Sequence, residues 1–225
     1  SFALLKAFHE VAHGLATRRL GGEVHDMGVM FLVFSPLPYV DASAASAFPG
    51  KWQRILVGAA GMLVELFLAS LALFVWLGVE EGAVRSLAFN AVMVAGVSTI
   101  LFNGNPLLRY DGYYILADLL EIPNLYSRSR TYLAYCCERY LLGRKDADPP
   151  PSSNSERVWF VLYAVGSFFY RLLVVFAIAM WILEWSFYLG LLLTVPMVVA
   201  WFGLPAAKIL HHLAASPGLR RVRVR

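Results

Sequence analysis

The five residues His9-Glu10-Val11-Ala12-His13 form an H-E-x-x-H motif inside an apolar segment with a helical pattern. On an α-helix, residues four apart lie on one face, so the imidazoles of His9 and His13 can reach the same metal ion. Glu10 lies one position further along, close enough to act on a metal-bound water without binding the metal itself. Residues 2–20 therefore predict a helix that carries two metal ligands and an acid–base carboxylate.

The composition indicates a membrane protein. Of the 225 residues, 59% are hydrophobic and only 15% are charged, against about 25% charged in soluble domains. Four apolar runs are long enough to cross a bilayer, and they cover residues 52–79, 84–102, 157–183 and 187–213. Residues 107–121 are short enough to be re-entrant. The predicted fold is an all-α polytopic membrane protein with about five to six transmembrane or re-entrant helices.

One short region departs from the helical pattern. Residues 27–39 alternate weakly between apolar and polar positions and contain Pro36 and Pro38, which predicts a short strand or β-hairpin that the prolines cut. Gly112, further along, is expected to free the backbone after a helix break at Pro106. Because the chain begins at Ser1 without a methionine and inside a helical pattern, we expect it to be part of a longer protein.

The pattern divides the chain into three parts. Residues 1–125 form a core with the motif helix, the hairpin, two spans and the Asn103–Gly112 segment. Residues 126–155 form an amphipathic, arginine-rich interfacial helix and a cytoplasmic linker. Residues 156–225 form two further transmembrane helices with a basic tail.

Basic residues are distributed unevenly about the predicted spans. One side of the membrane, reached after Arg18 and Arg19, receives Lys51, Arg54, Arg109, Arg128, Arg130, Arg139, Arg144, Lys145, Arg157, Lys208, Arg220, Arg221, Arg223 and Arg225. The other side receives Arg85 together with Glu80, Glu81 and Glu184. By the positive-inside rule, the basic loops and the C-terminus are predicted to be cytoplasmic. These charges flank spans and do not form one groove, so no nucleic-acid partner is expected.

Two histidines leave a catalytic zinc site one protein ligand short. Asp111 is the best candidate for the third ligand, because Pro106 breaks the preceding helix and a broken helix can direct a carboxylate at a metal on a neighbouring one. Asn103 and Asn105 add uncharged donors that can orient a substrate backbone or stabilise an oxyanion.

Glu65 lies in the middle of a predicted span, where an unpaired charge costs at least about 2.5 kcal/mol. Arg171 also lies inside a span, so we expect Glu65 and Arg171 to form a structural charge pair within the membrane. Two alternatives stay open: Glu65 lines the cavity of the metal site, or it binds zinc in place of Asp111.

The ordered pair of motifs, His9-Glu10-x-x-His13 and then Asn103-x-x-Pro106-x-x-x-x-Asp111-Gly112, resembles the site-2 protease family of intramembrane zinc metalloproteases. The wider stretch 101–118 and the segment Gly58-Ala59-Ala60-Gly61 are similar to a bacterial branch known as peptide zinc metalloproteases. The resemblance covers residues 2–121. Two departures bear on substrate selection: there is no PDZ-like insertion between spans, and the polar residue of the second span is Glu65.

The resemblance implies one Zn²⁺ held by His9, His13 and Asp111, with Glu10 as general base and acid. It implies cleavage of a peptide or transmembrane protein, in or next to a transmembrane segment near the cytoplasmic face. It also implies a multi-pass protein in the lipid bilayer of a bacterial inner membrane. The alternative function is a catalytically silent scaffold or accessory subunit that keeps the protease fold and serves other membrane subunits of a larger complex or transporter.

Overall fold

The computed structural model describes residues 2–32, 35–141 and 149–200. Its elements in chain order are α1 (Phe2–Arg19), β1 (Met27–Leu32), β2 (Ser35–Val40), a 3-10 helix (Ser43–Ala47), α2 (Lys51–Gly78), α3 (Ala83–Val97), α4 (Asp111–Leu119), α5 (Leu125–Cys136), α6 (Asn154–Trp185) and α7 (Phe187–Val198). Two π-helical turns extend α3 and α5, at Ser98–Asn103 and Cys137–Leu141. The predicted helical fold with one β-hairpin is confirmed.

Three helices among the described residues are long and apolar enough to cross a bilayer: Lys51–Gly78, Ala83–Asn103 and Asn154–Trp185. Large apolar side chains on α2 point outward, with Phe67 62% and Phe74 73% exposed, which suits lipid rather than water. These three helices do not confirm the predicted count of five to six. The short α4, with 9 residues, cannot span, and the predicted last span, 187–213, extends beyond the described residues.

The chain forms two compact units, Ser1–Ser167 and Phe168–Arg225, whose boundary falls within α6. In the first unit, α1, α2 and α3 meet around the buried residues Leu5, Ala69 and Ala95. A second cluster joins α4, α5 and the start of α6, and consists of Tyr113, Ile122, Leu125, Phe160 and Tyr163. Because α2 packs against both α1 and α4, it links the two clusters. The predicted boundaries after residues 125 and 155 stay predictions.

The strands β1 and β2 pair in antiparallel order. At their open end, the Asp41 N–H donates to the Asp26 carbonyl at 2.8 Å, so these two residues form a hydrogen-bonded pair. Hydrogen-bonded and non-hydrogen-bonded pairs alternate along the two strands from that point. Pro36 and Pro38, opposite Phe31 and Val29, therefore lie in non-hydrogen-bonded pairs, where no N–H is needed to bond β1. The expectation that the prolines cut the strand is therefore wrong, since both lie inside β2.

The N-terminus of α4 lies against the turn that ends the helical run through Asn103. A Cβ added to Gly112 would lie 2.6 Å from the backbone carbon and oxygen of Gly104, and 2.9 Å from the carbonyl oxygen of Asn103. Gly112 lies within α4, so its role is close approach of two backbones and not the added backbone freedom expected from the sequence. This contact fixes the position of the neighbouring Asp111.

We expect Gly112→Ala to lower the free energy of unfolding by about 1–3 kcal/mol, because the added methyl group meets backbone atoms that cannot move aside alone. Denaturant unfolding in detergent micelles, followed by circular dichroism, measures the change. The matched control is Gly96→Ala in α3, where an added Cβ meets nothing within 4 Å; alanine there should leave stability unchanged or raise it. Similar losses for both variants would contradict the backbone-contact explanation.

Candidate metal centre

His9, His13 and Asp111 come together at one point, although the second histidine and the aspartate lie 98 positions apart in the sequence. The Nε2 atoms of His9 and His13 lie 3.0 Å apart. Asp111 Oδ2 lies 2.9 Å from Nε2 of His9 and 3.6 Å from Nε2 of His13. Ligands of a tetrahedral zinc with bonds of about 2.0–2.1 Å lie about 3.3 Å from each other. The three predicted ligand atoms therefore have the spacing that one such ion requires.

The other nitrogen of each ring determines what the Nε2 atoms can do. His13 Nδ1 lies 2.7 Å from the carbonyl oxygen of Val57, and a carbonyl only accepts, so this Nδ1 carries the proton. In the neutral ring, His13 Nε2 then presents a lone pair. That lone pair faces Nε2 of His9 and a carboxylate oxygen of Asp111. Three atoms that can each bind a metal thus lie close together, and a ligand histidine whose other nitrogen donates to a backbone carbonyl is a common arrangement in metal sites.

The helix α2 passes close to the two imidazole rings, and the absence of a side chain at Gly61 leaves room for them. A Cβ added to Gly61 would lie 2.5 Å from Nε2 of His13 and 2.6 Å from both Cε1 and Nε2 of His9. One helical turn earlier, a Cβ on Gly58 would lie 3.2 Å from Cγ1 of Ile115 on α4. Small residues at helix interfaces allow backbones to approach closely. Gly58 and Gly61 thus let α4 and the histidines of α1 pack on one face of α2.

A cavity of about 540 Å³ opens beside the three ligand atoms, and Glu10, His13 and Asp111 contribute to its wall. Its other lining residues are Val40, Ala42, Ser43, Ala45, Ser46, Arg54, Val57, Gly58, Tyr114 and Asp118. Arg54 donates to Asp118 Oδ1 at 2.5 Å and to the Phe48 carbonyl at 2.8 Å. The cavity is large enough for water and an extended peptide segment, and its wall brings the motif carboxylate beside the ligand set.

The carboxylate of Asp41 lies just before the cavity residues Ala42 and Ser43 in the chain. Hydrogen bonds from the Ser43 side chain and backbone lower the pKa of Asp41, and the backbone N–H of Ser43 lies 3.0 Å from Oδ1. Asp41 therefore keeps a negative charge next to the cavity wall at neutral pH.

The two asparagines predicted as substrate donors have partners within the protein. Asn103 Nδ2 lies 3.4 Å from Glu65 Oε2, and Asn105 Oδ1 accepts from the backbone N–H of Leu107 at 2.9 Å. Neither residue lines the cavity. Their role toward substrate stays a prediction, while the structure gives Asn103 a contact with the buried acid and Asn105 a contact within the turn.

The cation in contact with Glu65 is Lys6, whose Nζ lies 2.7 Å from Oε1. The predicted partner Arg171 lies in the second unit, and its pairing with Glu65 stays a prediction. Sequence reasoning missed Lys6, although Lys6, His9 and His13 share one face of α1 by their spacing. It also missed the Val57 carbonyl, for which a sequence gives no signal, and the steric role of Gly61.

Comparison of the chain with protein-family models, with curated proteins and with solved structures finds no match. Membership of the site-2 protease family therefore stays a prediction from the two motifs. The metal-binding interpretation has separate support, because it follows from the ligand spacing and ring contacts of His9, His13 and Asp111.

We expect Gly61→Ala to weaken Zn²⁺ binding by about tenfold or more, because the new methyl group displaces both imidazoles from their common point. Chelator competition on the purified protein measures the affinity. Gly96→Ala adds the same group to α3 in open space and should bind Zn²⁺ as the unaltered protein does. Unchanged affinity in Gly61→Ala would show that α2 does not constrain the rings.

Proposed function

We propose that the protein is an intramembrane zinc metallopeptidase of the site-2 protease type, which cleaves a peptide bond in or next to a transmembrane segment near the cytoplasmic face. One observation carries the proposal: the ligand atoms of His9, His13 and Asp111 converge beside a cavity that Glu10 also lines. Three protein ligands and an adjacent carboxylate are the parts that a hydrolytic zinc site needs.

The distance of the site from the charged helix ends supports cleavage within the membrane. His13 lies six residues before Arg19, which ends α1, and six helical residues rise about 9 Å. Gly61, beside the rings, lies seven residues after Arg54 near the start of α2, a rise of about 10 Å. Arg19 and Arg54 belong to the side that the charge distribution makes cytoplasmic. The site would thus lie about 10 Å inside that boundary, with the polar cavity wall leading to it.

The reaction is the addition of water to a peptide carbonyl, followed by loss of the amine. When bound, zinc lowers the pKa of a coordinated water toward about 7 and polarises the carbonyl. Glu10 accepts the proton that the attacking water loses, and then delivers it to the leaving nitrogen as the C–N bond breaks. His9, His13 and Asp111 would hold the ion, while the contact of His13 with Val57 fixes that ring's orientation.

The outer edge of β1 supports binding of an extended substrate. In the pairing fixed by Asp26 and Asp41, the backbone N–H and C=O groups of Val29 and Phe31 point away from β2. The sheet has two strands within the described residues, so no described strand covers this edge. The outer edge of β2 lacks N–H donors at Pro36 and Pro38. Strand addition would therefore occur on β1, and it would hold a substrate unwound, with its peptide bonds accessible.

We expect Glu10→Gln to abolish cleavage and leave zinc content intact, because the amide cannot accept the water proton while the three ligands are unchanged. Membranes from cells expressing the unaltered chain or Glu10→Gln can be compared by mass spectrometry of protein N-termini. New N-termini inside or beside apolar segments should appear only with the unaltered chain.

Asp111→Ala is the companion variant, and it should lose both the new N-termini and zinc. Identical N-termini in the unaltered and Glu10→Gln samples, with zinc bound in both, would contradict the peptidase and favour the scaffold function.

We expect Val29→Pro to slow cleavage about tenfold or more while zinc content is kept, because proline removes one outward donor from the β1 edge but no ladder bond to β2. Val29→Ala keeps the N–H and should cleave at nearly the unaltered rate. The yield of the new N-termini over time measures both rates. Equal slowing by alanine and proline would assign the effect to the side chain and not to strand addition.

A further inference from the structure

Glu65 is the most completely enclosed acid among the described residues, with 0% of its surface exposed. It lies in α2, one of the helices long and apolar enough to span the membrane. An ionised carboxylate in such surroundings is costly unless hydrogen-bond donors and an opposite charge surround it. Four polar groups do so, and they come from Lys6, His9, Thr99 and Asn103.

The two oxygens of Glu65 have different partners. Oε2 accepts from the hydroxyl of Thr99 and lies 3.4 Å from the amide nitrogen of Asn103, both in the π-helical turn that follows α3. Oε1 faces α1, where it lies 2.7 Å from Nζ of Lys6 and 3.4 Å from Nδ1 of His9. One oxygen is thus anchored to α3, while the other is shared between an ammonium group and a candidate metal ligand.

His9 has a buried nitrogen that needs this oxygen. Its Nε2 faces Asp111 and His13, while its Nδ1 is buried and, among the residues that the structure describes, has no partner with hydrogen-bond geometry. Glu65 Oε1, at 3.4 Å, is slightly too far for a good hydrogen bond, and a shift of a few tenths of an ångström would close it. In metal sites, the nitrogen of a ligand histidine that does not bind the ion usually donates to a carboxylate or a carbonyl.

The two ligand histidines then differ in what orients them. His13 donates to the neutral carbonyl of Val57 at 2.7 Å, whereas His9 faces a carboxylate. A charged acceptor makes the ring a stronger donor to a cation than a carbonyl does. If Glu65 served only to neutralise Lys6, its Oε1 atom would not also need to lie beside Nδ1 of His9.

We propose that Glu65 is a positioning residue for the metal: its carboxylate accepts the Nδ1–H of His9, orients that ring and raises its affinity for the ion, while Lys6 holds Oε1 in place. The inference deepens the proposed function, because it rests on the zinc site described above. Glu65 itself does not contact the ion in this role, so the ligand set stays His9, His13 and Asp111.

The test separates positioning from charge neutralisation. Glu65→Gln alone leaves the partly buried ammonium of Lys6 without a counter-charge, and can fail to fold for that reason. The double variant Lys6→Met/Glu65→Gln removes both charges together and keeps side chains of similar length. Its unfolding midpoint without metal should equal or exceed that of the unaltered protein. Its Zn²⁺ affinity, measured by chelator competition in detergent, should be about 10- to 100-fold weaker.

The matched control removes a second lysine–glutamate pair at a distance from the site. Lys51 Nζ lies 3.6 Å from Glu121 Oε1, so Lys51→Met/Glu121→Gln makes the same chemical change there and should leave Zn²⁺ affinity as it was. The absorption spectrum of the Co²⁺-loaded protein adds a second measurement, because its visible bands report ligand geometry. They should shift in Lys6→Met/Glu65→Gln and stay unchanged in the control.

Zn²⁺ affinity within twofold of the unaltered protein in Lys6→Met/Glu65→Gln, with an unchanged Co²⁺ spectrum, would overturn the inference and leave the proposed function standing. Equal weakening in both double variants would also overturn it, because the loss would then follow from charge removal in general. If the unaltered chain binds neither ion, the proposed function fails, and the inference with it.

Discussion

The Nε2 atoms of His9 and His13 face each other at 3.0 Å, and this contact constrains the rest of the unit. Two neutral imidazoles whose lone pairs meet at that distance repel, and Asp111 Oδ2 adds a third electron-rich atom. A single shared proton can satisfy one of the three contacts, whereas a divalent cation satisfies all of them. If the three residues hold an ion as proposed, the helix positions that bring these atoms together would be most stable with the ion present, and metal binding would be coupled to folding of the unit.

Holding the ligands together requires backbones that approach more closely than ordinary side chains permit. Gly61 leaves space for both imidazoles, Gly58 lets α4 approach α2, and Gly112 seats the start of α4 on the turn at Gly104. In a bilayer, lipid is as apolar as the helix surfaces, so close packing and polar contacts must hold helices together. The charge pair of Arg54 with Asp118 joins α2 to α4 at the polar end of this interface.

Sequence reasoning predicted the three candidate ligand residues that the structure brings close together, because H-E-x-x-H fixes two of them by helix geometry and a broken helix made Asp111 a candidate. The sequence alone did not reveal which basic residue lies beside Glu65. Lys6 lies 59 residues away in sequence, Arg171 lies inside another span, and only the packing of α1 on α2 brings Lys6 into contact. The role of Gly112 was also hidden, since a sequence does not reveal which two backbones meet. Hydrogen-bond alternation, which places Pro36 and Pro38 harmlessly inside β2, depends in the same way on strand register.

Charge balance joins the buried acid to the candidate metal centre. Glu10, Glu65 and Asp111 carry three formal negative charges in or behind the site, and Lys6 carries one positive charge against Glu65. The two negative charges that remain equal the charge of one divalent cation. Unbalanced charge is costly in apolar surroundings, so a bound divalent cation would offset the charges of Glu10 and Asp111, which both line the cavity. Lys6 offsets the charge of the buried Glu65 separately, and α1 presents Lys6 to this acid and His9 to the candidate metal centre from the same face.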